Sequence, residues 1–108
     1  MEPDFEHITV RDNQAEQRYE AQIDQALAVL EYDQQGQRIT LIHTEVPSAL
    51  EGHGIAGKLT RFALDDARAR RLEVIPVCPF VVSYLRRHPA DLDVVAPAAR
   101  THVTDGQH

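Results

Sequence analysis

The 108-residue sequence contains no tryptophan, only three phenylalanines and three tyrosines, one cysteine and one methionine. A core must therefore be built from Val, Ile, Leu and Ala, and 43% hydrophobic residues are enough for one packed domain. A single cysteine excludes an internal disulfide and with it the small secreted scaffolds that depend on them. No apolar run approaches the roughly 20 residues of a membrane helix, and Met1-Glu2-Pro3-Asp4 lacks the basic-then-apolar pattern of a signal peptide. The expectation is a cytoplasmic protein without membrane contact. Net positive charge is missing too. A formal charge of -6 opposes binding to nucleic acid phosphates, although Arg68-Ala69-Arg70-Arg71 and Arg86-Arg87 are local basic clusters. They suit a small anion, or simply the negative ends of helices.

What is present reads as one domain over residues 1–108, with a core at about 5–95 and a frayed tail after Pro97. Alternating patterns predict strands at Phe5–Val10, Arg18–Ile23, Ala26–Tyr32 and Arg38–Val46, with a turn at Asp12-Asn13-Gln14 and a hairpin loop around Gly36. Pro47 ends the fourth strand, because it has no N–H to donate. Ile55, Leu59, Phe62, Ala63 and Ala67 form one apolar stripe, predicting a helix over Ile55–Arg71. A short apolar strand, Leu72–Val77, follows, then a helix over Phe80–Arg87 that Pro89 stops, and a last strand at Leu92–Val95. The fold class is α/β with a mixed sheet: antiparallel strands first, then a strand–loop–helix–strand crossover whose two strands run parallel.

Three of the five glycines, Gly52, Gly54 and Gly57, fall in the loop that opens the long helix. Glycines there let a ligand approach the main chain. The first helical N–H groups lack intrahelical partners and sit at the positive end of the helix dipole, so the loop suits an anion. A Walker A loop is nearly spelled by Gly52 and Gly57-Lys58, but Leu59 replaces the hydroxyl residue that binds magnesium. Gly52, Gly54 and Gly57 also fit the dinucleotide fingerprint, yet a meander precedes them and the chain is too short for a doubly wound sheet. A plain strand-to-helix turn is the remaining alternative.

Glu51-Gly52-His53-Gly54-Ile55-Ala56 resembles motif A of the GNAT acetyltransferases, Gln/Arg-x-x-Gly-x-Gly/Ala, with Glu51 departing at the first position. His43-Thr44-Glu45-Val46-Pro47 and Val77-Cys78-Pro79-Phe80-Val81 through Tyr84-Leu85-Arg86-Arg87-His88-Pro89 resemble a small, single-domain branch of that family. The resemblance implies an N-acetyltransferase that carries acetyl from acetyl-CoA to a primary amine, or else a non-catalytic acyl-CoA-binding sensor. It implies that coenzyme A is held by Val46 and by the backbone of His53, Gly54, Ile55, Ala56, Gly57 and Lys58, with Cys78, Tyr84 and Arg87 also in contact. The same fold used as an interaction scaffold would bind no coenzyme A.

Amine acetylation needs a base for the acceptor and a proton for the departing sulfur. Glu45 and His43, two apart on a strand, share one face and are the candidate bases. Cys78 is the candidate nucleophile, or a wall of the acetyl site, or a small core residue. The resemblance implies that Tyr84 is the proton donor; read from the residues alone it is a core aromatic in step with Phe80. Pro76 fits a strand whose pairing is broken, as where the family's two parallel strands splay apart. No metal is expected, and the state is expected to be a monomer or weak homodimer.

Overall fold

The computed structural model describes residues 7–104. Five strands lie side by side in chain order: β1 (Val10–Asn13), β2 (Arg18–Ile23), β3 (Ala26–Gln35), β4 (Arg38–Glu45) and β5 (Glu73–Pro76). The first four pair antiparallel, and β4 and β5 pair parallel. Helix α1 (Ile55–Arg70) connects that parallel pair, followed by α2 (Pro79–Arg87) and the short α3 (Arg100–Thr104). This is the expected mixed sheet with its crossover.

Local chemistry sets the boundaries. Gly36, at φ 60°, closes the β3–β4 hairpin. Helix α1 ends where Arg71 adopts a left-handed conformation (φ 58°) and donates its N–H to the carbonyls of Ala67 and Arg68. Pro79 occupies the first turn of α2, where its missing N–H costs nothing. One face of the sheet packs on the helices through Tyr19, Ala21, Leu30, Tyr32, Ile39 and Leu41, against Ile55, Leu59, Ala63, Leu64 and Ala67 of α1 and Val81, Tyr84 and Leu85 of α2. Two tyrosine hydroxyls at the edge of this core donate to carboxylates: Tyr19 to Asp66 at 2.8 Å and Tyr32 to Asp12 at 2.6 Å. Burial first, and the carboxylate second, push both phenols upward.

Four expectations need correction. The first strand lies at Val10–Asn13, so Asp12 and Asn13 are in the strand and the turn falls at residues 14–17; Phe5 and Glu6 lie outside the described residues. Phe62 is 36% exposed and makes an edge contact with Tyr19 at 5.7 Å, while Leu64 takes the buried position. The stretch Pro89–Val94 is a 3-10 segment, leaving a single bridge from Val95 to Val74 where a strand was expected. A carboxylate explains it: Asp91 is drawn onto α1 by Arg61 and Arg68 at 2.7 and 3.0 Å, and the hydrogen bonds from Arg61 and then Arg68 hold its carboxyl below the usual range. Finally, residues 97–104 are folded. Val103 is fully buried, and Arg86 donates to its carbonyl at 2.6 Å.

The other sheet face carries a buried carboxylate. Glu20 accepts from Arg11, Asn13 and Arg18 at 2.6–3.0 Å and is 2% exposed. Burial alone would raise its pKa, but the hydrogen bonds from Arg18, Asn13 and Arg11 outweigh it and hold the group at about 2. A depressed folded pKa contributes stability above the unfolded value of roughly 4.3, and that contribution fades as pH falls toward 2. We expect Glu20→Gln to be about 2 kcal/mol less stable than wild type at pH 7 and nearly equal to it at pH 2. Parallel stability curves for the two proteins in urea at both pH values would refute this account.

Candidate functional site

The site is built where β4 hands over to α1. Gly54 caps α1 in the left-handed region (φ 72°) and has no side chain to bond the helix amides, and Gly52 is at φ 83°. No acidic residue stands in the first helical turn. A cavity of about 240 Å³ opens here, lined by Val46, Leu50, Glu51, the glycines of the loop, Ile55, Ala56 and Phe80, so the Glu51 carboxylate that departs from the motif borders it. A side-chain carbon added at Gly52 or Gly54 would meet no atom within 4 Å. The loop therefore leaves room for a group to come directly against the helix amides. Its donors are neutral N–H groups at a helix N-terminus, which fits a diphosphate.

A second, wider groove of about 750 Å³ continues from Gly54 and Gly57 along α1, between Lys58, Arg61, His53 and Tyr84. A side-chain carbon added at Gly57 would lie 4.0 Å from the Tyr84 ring, which is stacked on His88, centroid to centroid 4.0 Å. His88 Nδ1 lies 2.8 Å from the Tyr84 carbonyl. Because a carbonyl only accepts, Nδ1 is the protonated ring nitrogen. Lys58 and the Tyr84 ring thus flank the anion site, while Arg61 is paired with Asp65, which also lines the groove, and with Asp91. Arg87 points elsewhere, exposed, with its Nε 3.4 Å from the Ser83 carbonyl.

Strand pairing breaks beside this cavity. The last β4–β5 partners are Leu41 and Pro76. Beyond them the N–H groups of Val77 and Cys78 both donate to Leu41 O, at 3.0 and 2.9 Å, as the chain turns into α2. Pro76 therefore sits where pairing ends. From Ile42 onward β4 is paired only with β3, and its other edge faces the start of α2. Cys78 caps α2, is 2% exposed, and places Sγ 3.2 Å from Thr44 Oγ1.

A β-bulge decides which side chains reach this gap. Tyr32 pairs with Leu41 and Glu31 with His43, leaving Ile42 as the extra residue. Unbroken alternation from Ile39 and Leu41 would carry His43 and Glu45 to the helix side of the sheet. The bulge shifts the phase by one, so Thr44 faces the helices with Leu30, while His43 and Glu45 lie exposed on the opposite face. The two candidate bases do share a face, across the sheet from Cys78. Thr44 and Phe80 are the site residues that sequence reasoning missed. A bulge has no signature in a single strand, and Phe80 reads equally well as core.

Residues 18–94 match the family model of the GCN5-related N-acetyl-transferases. The chain belongs to that family. Protein NATD1 of Gallus gallus and of Mus musculus are each 41% identical to it over 63 residues, and that of Xenopus tropicalis is 36% identical. The matched stretch spans 57% of this chain and 57% of the Gallus and Mus proteins. Among solved structures, the NMR solution structure of a GCN5-like candidate N-acetyltransferase from Staphylococcus aureus superposes with a TM-score of 0.64. It is 26% identical, with 82% of this chain and 87% of that one covered. The GCN5-related fold thus extends over β2 to the Asp91 segment, including the glycine loop and the strand break.

Proposed function

We propose that this protein is an acetyl-CoA-dependent N-acetyltransferase acting on a primary amine by direct transfer. The observation that carries the reading is the uncapped glycine N-terminus of α1 opening into a cavity beside the broken β4–β5 pairing. The coenzyme supplies an activated acetyl thioester when bound. The amides of Ile55, Ala56 and Gly57, with Gly54, His53 and Val46 around them, would hold its diphosphate. Lys58 stands at the groove for an outer phosphate, and Tyr84 lines the same groove.

Transfer forms the bond from nitrogen to the acetyl carbonyl carbon and breaks the carbon–sulfur bond, while the acceptor ammonium sheds two protons, the first to a base and the second balanced by the proton that the departing sulfur takes. Glu45 or His43, exposed on the opposite face, would take the first, directly or through a water. Tyr84 is the donor candidate for the sulfur's proton. Cys78, fixed beside Thr44 at the start of α2, would wall the acetyl site. A second reading is an acyl-CoA-binding sensor without turnover; it is favoured by the separation of the candidate bases from the buried Cys78.

Calorimetric titration tests the proposal. Wild type and Cys78→Ala are expected to bind acetyl-CoA saturably with micromolar Kd, while the Ala variant transfers acetyl at least tenfold more slowly. Absence of binding at millimolar coenzyme would overturn the cofactor assignment, and unchanged turnover in the variant would remove Cys78 from the chemistry.

A further inference from the structure

The far end of α1 opens on another cavity, of about 310 Å³, lined by Arg68, Arg71 and Arg100 and by Leu72, Val94 and Val95. It shares no lining residue with the groove at Gly54 and Lys58. Its two carboxylates are already matched: Arg68 donates to both oxygens of Asp93, at 2.7 and 3.1 Å, and Glu73 lies 3.8 Å from Arg38. The other two guanidiniums are not. Arg100 Nε donates to the carbonyls of Leu92 and Val95 at 3.1 and 3.2 Å, which fixes the group and leaves both Nη atoms without a partner among the described residues. The Arg71 side chain has no hydrogen bond or ion pair among them at all. On a chain with 17 acidic residues against 11 Lys and Arg, it is the cations that should find partners. Among the described residues, the one other Lys or Arg in that condition is Lys58, at the first anion site. Arg71 also holds the left-handed cap of α1, φ 58°, where glycine would be unstrained. A side chain kept at a cost in strain, with no polar contact inside the fold, points to a contact outside it.

We infer that this cavity is a second anion site, built for a phosphate monoester that carries a small apolar group. Two guanidiniums with unspent N–H groups match the double charge and the outer oxygens of such a head. A carboxylate, with one charge, would satisfy one of them. Leu72, Val94 and Val95, each at most 8% exposed, form an apolar wall beside the cations, so the rest of the ligand gains by burial. The volume lies at the lower bound of ligand cavities, roughly 300 Å³, which limits the ligand to a small one. The negative end of α1 points here too. Its carbonyls at Ala67 and Arg68 are taken by the N–H groups of Arg71 and Leu72, which blunts that opposition. The site lies at the opposite end of α1 from the glycine cap, so it holds whether or not the acetyltransfer reading does.

Titration of the full-length protein with phenyl phosphate, read by backbone amide and arginine Nε–H shifts, tests this. Saturable shifts are expected at Arg71, Leu72, Val95 and Arg100, with a Kd in the high-micromolar range and at least tenfold tighter than for inorganic phosphate or benzoate. Shifts at Gly54 to Lys58 report the first anion site and are followed separately. Arg71→Gly relieves the left-handed strain, so its Tm is expected to be no lower than that of wild type. It should weaken the phenyl phosphate response at Val95 and Arg100 at least tenfold and leave that at Gly54 to Lys58 unchanged. Four results would each overturn the site: no shifts at Arg71 and Arg100 in millimolar phenyl phosphate, shifts confined to the glycine cap, equal affinity for inorganic phosphate or benzoate, or undiminished binding by folded Arg71→Gly.

Discussion

Replacing Gly54 by glutamate is expected to weaken acetyl-CoA binding at least a hundredfold. The position combines a left-handed backbone, φ 72°, with open space around the missing side chain. Any L-residue there costs about 1–2 kcal/mol of backbone strain, but no atom need be displaced. The main effect is electrostatic. A carboxylate at the cap would take the free amides of α1 for itself and face the diphosphate with like charge. A hundredfold loss corresponds to about 2.7 kcal/mol. Gly54→Ala separates the two causes, since it carries the strain without the charge and should lose less than tenfold. Calorimetry on the three proteins, with circular dichroism to confirm folding, decides it. Equal affinity in Gly54→Glu would mean that the diphosphate is held elsewhere.

The second large effect concerns Leu59, which is fully buried in the core. Leu59→Ala removes three carbons from a packed interior and should destabilise the fold by about 3 kcal/mol. At roughly 4–8 °C per kcal/mol for a domain of this size, Tm should fall by about 15 °C. Leu59→Ser is sharper, because it spells Gly-x4-Gly-Lys-Ser from Gly52. It should lower Tm further, by burying a hydroxyl, and gain no affinity for ATP and magnesium. Scanning calorimetry measures the first effect and titration the second. A fall of under 5 °C in Leu59→Ala would mean that α1 does not pack as described. Acquired ATP binding in the Ser variant would reopen the Walker reading.

Much of this was legible in the sequence because the chemistry is local. The order of elements, the hairpin at Gly36, the proline boundaries at Pro47 and Pro79, and the glycine cap of α1 each follow from a residue acting on its own backbone. The pieces that escaped depend on partners distant in sequence. Ile42 is a bulged residue only because Tyr32 and Glu31 pair with Leu41 and His43. Glu20 looks like an exposed strand residue until Arg11, Asn13 and Arg18 converge on it. Asp91 turns a strand-like apolar stretch into a 3-10 segment through Arg61 and Arg68. Val103 is an isolated apolar residue in a polar stretch, and only the face of α2 gives it a burial site.

The strand order, identical to the order along the chain, also bears on assembly. β1 to β4 each pair with the strand just made, so their ladder needs only short closures and can form early. β5 joins only after α1 has been laid across the sheet, a longer and slower closure. The glycine cap and the break beside Leu41 lie at the seam between the early meander and the late crossover. A coenzyme bound there touches both parts. It would hold the last-formed strand and helix to the rest, shifting the local opening equilibrium of the crossover by mass action.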